Sequence, residues 1–141
     1  LGPVAVTATD PYSPLADALG RSLELAGATP AAADALDGAT RLEILSEKWA
    51  DLPISVDTFG RAQEYSLRYA VVFRLRRADG GEIVPQQAVE LSRDYIAPPA
   101  DAIGRSSERE LLVKEMRRDM SAAILRRIDA TLRAPTAASA R

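Results

Sequence analysis

Ser92-Arg93-Asp94-Tyr95 places a hydroxyl, a guanidinium, a carboxylate and a phenol in consecutive positions. With no histidine and no cysteine in 141 residues, these are the side-chain types that any catalysis here would have to use. The two absences remove thiol chemistry, disulfides, histidine-centred triads and most zinc sites together. Ser92 has no oxyanion motif and no evident base beside it, so the four residues read as the end of a strand. Glu108, Glu110 and Glu115 lie near a helix start, where dipole and capping account for them. There is no P-loop and no dinucleotide glycine pattern, and Asp79-Gly80-Gly81 is a turn rather than a phosphate cradle. The expectation is a protein with no catalytic residues, no metal and no cofactor.

Anion binding is the other chemistry on offer. The net charge of −2 hides a division. Residues 1–60 hold Arg21, Arg41 and Lys48 against nine acids, whereas residues 61–141 hold fifteen basic residues against eleven acids. A basic half is either a solvated face or a surface for an anionic partner. Arg74, Arg76 and Arg77 invite a nucleic-acid reading, but the neighbouring Tyr and Phe side chains fall on the apolar face of their strand. No base-stacking platform is left, and no nucleic acid is expected.

The elements that position these groups are organised around residues 61–95. Tyr65, Leu67, Tyr69, Val71, Phe73 and Leu75 alternate with Glu64, Ser66, Arg68, Ala70, Val72, Arg74 and Arg76, the period of a strand with one apolar face. Ile83, Val89, Leu91 and Tyr95 share one phase of the returning segment, and the Asp-Gly-Gly between the two runs predicts a hairpin. Upstream, Val4 and Val6 mark a first strand. Ser13 as N-cap, Pro14 as first helical residue and Gly27 as stop then predict a helix with Leu15, Leu19 and Leu23 on its core stripe. Residues 28–40, with Asp34 and Asp37, read as a connection that includes a poor edge strand around Thr29. Leu42 and Ile44 point inward on a strand that Pro53 interrupts, at an edge or bulge. A strand-helix-strand order predicts that the first and second main strands are parallel. Pro98 and Pro99 stiffen the exit from the sheet, and Ser107 with Glu110 forms a capping box that opens a helix over 108–132. Leu112, Met116, Met120, Ala123, Ile124 and Ile128 make its apolar stripe, with Arg109, Arg117, Arg118 and Arg126 outward. The expected fold is α+β, a two-layer sandwich with two helices on one face of a mixed sheet of roughly four strands. One domain is expected over residues 1–133, followed by a disordered tail at 134–141. No apolar run is long enough to cross a bilayer as a helix. The sequence opens at Leu1 without methionine, and a mature fragment lacking its leader or lipid anchor is expected.

Ser55-Val56 through Gly60, Glu64-Tyr65, Ala78-Asp79-Gly80, Leu91-Ser92-Arg93-Asp94-Tyr95, Leu111-Leu112-Val113-Lys114-Glu115-Met116-Arg117-Arg118-Asp119 and Ile124-Leu125-Arg126-Arg127 occur in that order. Together they resemble the LptE family, lipopolysaccharide-assembly lipoproteins of the Gram-negative outer membrane. The resemblance covers nearly the whole chain; the amino-terminal third matches in pattern only. It implies a non-enzymatic plug inside the LptD β-barrel, in a one-to-one complex that places lipopolysaccharide in the outer leaflet. It also implies attachment to the periplasmic side of the outer membrane through an N-terminal lipid anchor. In the family, basic residues in the loop before the hairpin's first strand and in the loop before the long helix contact lipopolysaccharide. Arg105 occupies the second place. In the first, Thr58 stands where relatives are basic, and Arg61 is the nearest substitute. Lys114 is a weaker third candidate. Arg fits such a ligand because its planar fork matches phosphate oxygens bidentately, and lipid A is bis-phosphorylated. Arg68 and Arg74, on the polar hairpin face, are the candidate barrel contacts, since a plug in a wet lumen meets polar walls. The rival is a stand-alone periplasmic lipid or glycolipid carrier, or another interaction domain; a carrier would need a hollow between helix and sheet.

Overall fold

The computed structural model describes residues 3–10, 12–30, 38–60, 62–96 and 102–133, with the side chains of 30, 62, 63 and 102–106 left aside. Arg61, the connection with Asp34 and Asp37, the exit at Pro98 and Pro99, and the tail 134–141 lie outside these. The elements are β1 (Pro3–Ala8), α1 (Pro14–Leu25), β2 (Thr29–Pro30), β3 (Thr40–Val56), β4 (Ala62–Arg76), β5 (Glu82–Ile96) and α2 (Ala102–Leu132). The sheet runs β2-β1-β3-β4-β5. β1 is parallel to β2 and β3, and the β3-β4 and β4-β5 pairs are antiparallel. This is the mixed α+β architecture the sequence predicts, four substantial strands with the two-residue β2 at one edge.

Local chemistry explains where α1 begins and ends. Ser13 Oγ accepts the Ala16 N–H at 3.3 Å, and Pro14 occupies the first helical position, where a missing N–H costs nothing. At the other end Gly27 adopts φ 99°, the Gly27 N–H donates to Glu24 O and the Ala28 N–H to Leu23 O. This left-handed cap satisfies carbonyls the last turn would otherwise leave open.

The odd residues of β4 face the helices as expected: Leu67, Tyr69, Val71 and Phe73 are fully buried and Leu75 nearly so. Leu15 and Leu19 of α1 and Met116, Met120, Ile124 and Ile128 of α2 meet them from the helix layer. Three expectations need correction. The return strand does not keep one phase: Phe73 pairs with Gln87 but Leu75 with Val84, so β5 carries an extra residue and Val84, not Ile83, is the buried one there. Pro53 does not interrupt β3, which continues to Val56. β1 accompanies β3 only to Ile44, so beyond that point β3 has a free side where a residue without an N–H is tolerated, and the pairing shifts between Pro53 and Ser55. Finally, Ser107 is not the cap of α2. The helix starts at Ala102, because Gly and Ser inside a helix each cost only about 1 kcal/mol or less once the downstream turns are anchored.

Candidate functional site

β3 carries its own bulge. Ile44 pairs with Phe73 but Ser46 with Val72, leaving Leu45 as an extra residue. One extra residue inverts the faces, so Glu47, Trp49 and Asp51 turn toward the helices. Trp49 stacks on Tyr69, centroids 3.7 Å apart and planes 8° from parallel. Glu47 accepts hydrogen bonds from Ser13 Oγ at 2.9 Å and from the Tyr69 hydroxyl. Burial first, and then the Glu47 carboxylate, push the Tyr69 phenol far above its ordinary range, so it remains a donor. Asp51 receives both arms of Arg109, at 2.9 and 2.8 Å, and the Tyr95 hydroxyl at 2.8 Å. The Arg109 hydrogen bonds hold Asp51 below its ordinary value of 3.8, and desolvation pushes Tyr95 up to about 12. Arg109 therefore belongs to the inner side of α2 rather than the outer face assigned to it. Both clusters fasten helices to the sheet, and every group in them is committed to that task.

The Ser92–Tyr95 run separates as a strand must. Tyr95 turns inward to Asp51, Arg93 reaches Asp119 on α2 at 3.0 Å, and Ser92 and Asp94 are exposed on the opposite side.

Arg68 and Arg74 share the outer sheet face, about 20 Å apart along β4. They differ in freedom. Arg68 meets Glu90 at a loose 3.9 Å with half its side chain exposed, whereas Arg74, and Arg76 beside it, close on Glu43 at 3.0 Å. The start of β4, the end of β5 and the start of α2 follow one another around one end of the sheet, since Glu64 pairs with Ile96 and α2 opens at Ala102. Arg105 is thus in the first turns of α2, not in a loop, and Arg61 lies outside the described residues. Lys114 is exposed about 14 Å farther along the helix than Arg105.

That end of the sheet has a feature the sequence reading passed over. Ile54, Val56, Phe59 and Ile96 are 49%, 62%, 81% and 61% exposed, an unusual concentration of large apolar side chains in water. The Asp57–Gly60 turn carries Phe59 at its tip, with Phe59 N–H donating to Asp57 Oδ1 and Gly60 at φ 77°. A signal was present: Ile54, Val56 and Phe59 recur past Pro53 into a turn, where Val56 meets only Ala62 on the partner strand.

A family model described as lipopolysaccharide assembly, LptE, matches residues 1–128. The chain belongs to the LptE family. Membership brings a role in lipopolysaccharide assembly, in a family of non-enzymatic proteins. The crystal structure of rare lipoprotein B from Shewanella oneidensis is similar at a TM-score of 0.78 and 28% identity, over 92% of this chain and 96% of that one. An uncharacterized lipoprotein B from Nitrosomonas europaea, solved by NMR, gives 0.81 at 24% identity, over 96% and 86%. A minor lipoprotein from Acinetobacter baumannii gives 0.73 at 19%, over 90% of each chain. These last two bear on the fold alone. No curated protein sequence matches the chain. An LptE-family sheet thus carries an exposed apolar end at Ile54, Val56, Phe59 and Ile96.

Proposed function

We propose that this chain is the lipoprotein partner of an LptD-type β-barrel, one copy to one barrel, which it plugs and supports while binding lipopolysaccharide on its way to the outer leaflet. It acts as one domain over residues 1–133 on the periplasmic side of the outer membrane, held there by a lipid anchor N-terminal to Leu1. The observation that carries the ligand half is the exposed apolar sheet end formed by Ile54, Val56, Phe59 and Ile96; Arg61 and Arg105 are its charged counterparts in this reading, on the strength of the family resemblance. Acyl chains and phosphates are the two chemistries of lipid A, and such an end offers a partner for each. Lys114, farther along α2, is a subsidiary contact. A stand-alone carrier is disfavoured because the space between α2 and the sheet is filled by Tyr69, Phe73, Met116, Met120 and Ile124.

Two expected results test the halves separately. Changing Arg61 and Arg105 to Asp together should weaken binding of purified lipopolysaccharide by about tenfold or more, with the melting temperature nearly unchanged. Added salt should weaken the parent's binding as well, because exposed charge contacts are screened. Unchanged affinity in the double variant would remove these residues from the site and leave the plug role standing. For the barrel, a photocrosslinker at Arg68 should capture the partner more efficiently than one at Arg74, whose side chain is already tied to Glu43. Capture only from the outer face of α2 would reverse the orientation.

A further inference from the structure

α1 and α2 lie side by side, and the seam between them opens into a cleft of about 490 Å³. Arg21 and Ser22 border it from α1, and Lys114, Arg117, Arg118 and Ser121 from α2. Four cations meet there, and no carboxylate is among the residues that line it. Arg21 also borders a groove with Asp17 and Glu24, and Arg117 one with Asp10 and Glu47, so the uncompensated pair is Lys114 and Arg118. None of the four forms a salt bridge among the described residues, although several other arginines do. Lys114 and Arg118 are spaced i,i+4, where like charges repel. Two buried polar atoms, Arg117 Nε and Ser121 Oγ, have no hydrogen-bond partner among the described residues. Ser121 is only 5% exposed, and a hydroxyl buried at a cationic cleft without a partner calls for one. Arg117 is held in place from the other side, its guanidinium carbon 6.0 Å from the centre of the Trp49 ring.

We infer that this seam is an anion site for a phosphate group, recognised by Lys114 and Arg118 and by the Ser121 hydroxyl, with Arg117 adding positive charge from the sheet side. Phosphate suits it because three or four acceptor oxygens can take guanidinium, ammonium and hydroxyl donors together. Two sources share that chemistry, free phosphate and a phosphorylated lipid. The lining separates them: Leu125 also borders an apolar groove with Leu23, Ile128 and Leu132, which continues the seam and suits an acyl chain attached to the phosphate. The site stands on the helix seam and does not require Arg61 or Arg105; Lys114 is the one residue it shares with the lipopolysaccharide contacts proposed above.

The test is a titration of the isotope-labelled chain with inorganic phosphate and, separately, with dihexanoyl phosphatidate, followed by amide and guanidinium chemical shifts. Both probes should move signals of residues 114–122 and saturate, with the phosphatidate binding about fivefold or more tightly if its chain enters the groove. In the Lys114→Glu, Arg118→Glu double variant, both exposed positions, affinity should fall about tenfold or more; Ser121→Ala should weaken it less, and Arg61→Asp with Arg105→Asp not at all. Equal affinity for the two probes would assign the site to free phosphate. Shifts confined to the sheet end, unchanged binding in the Lys114, Arg118 variant, or a seam that binds neither probe and engages only an acidic protein would overturn the inference.

Discussion

Phe73→Ala is expected to destabilise the domain by about 3–5 kcal/mol, enough to leave a marginally stable fold partly unfolded. Phe73 is fully buried on β4, between β3 and β5, paired with Ile44 on one side and Gln87 on the other, beneath the side chains of α1 and α2. Truncation removes the apolar transfer contribution of a whole ring and leaves a cavity that two flanking strands and two helices cannot collapse to fill. Urea denaturation of parent and variant measures it, with Val56→Ala as control. Val56 is 62% exposed, so its loss should stay within about 0.5 kcal/mol. Equal midpoints for the two variants would contradict the inward phase of β4.

Asp51→Asn should cost about 1–2 kcal/mol at neutral pH, with a pH signature that packing losses lack. The figure is kept low because both partners of the Asp51–Arg109 pair are partly in solvent, 29% and 38% exposed. Arg109 holds the Asp51 carboxyl below 3.8 in the folded state, so near pH 4 the unfolded chain binds protons more readily than the folded one. A depressed acid contributes stability that is complete above its unfolded value and is lost as pH falls through its lower folded value. Arg109, pushed upward by the same contact, stays charged throughout. The gap between parent and Asp51→Asn should therefore be constant from about pH 7 to pH 5 and close below about pH 4. Urea midpoints across that range check it; a gap independent of pH would assign the loss to geometry instead of charge.

Both positions show what could be read in advance. Phe73 sits in an uninterrupted alternation, and its burial follows from a period of two. Asp51 sits past the extra residue Leu45, so counting from Leu42 and Ile44 predicts the wrong face for it. Likewise Val84 and Val89, both buried, differ by an odd number of residues because β5 has a bulge between them. Helix ends divide in the same way. Ser13, Pro14 and Gly27 stated the limits of α1, since caps act within a few residues. Ser107 and Glu110 misplaced the start of α2, since a capping box competes with cheap extension of an anchored helix.

The residues alone were enough to determine the α+β class, the hairpin, the stripes of both helices and the resemblance to the LptE family, because each depends on local periodicity, capping or residue order. Tertiary structure decided which polar groups meet. It turned Glu47 and Asp51 inward onto Ser13, Tyr69, Tyr95 and Arg109, gathered Ile54, Val56, Phe59 and Ile96 at one sheet end, and brought Arg21 beside Lys114, Arg117 and Arg118. A one-residue bulge inverts a whole face without leaving a trace in composition. Contacts between segments far apart in sequence are set by how layers pack, which no single segment's pattern contains.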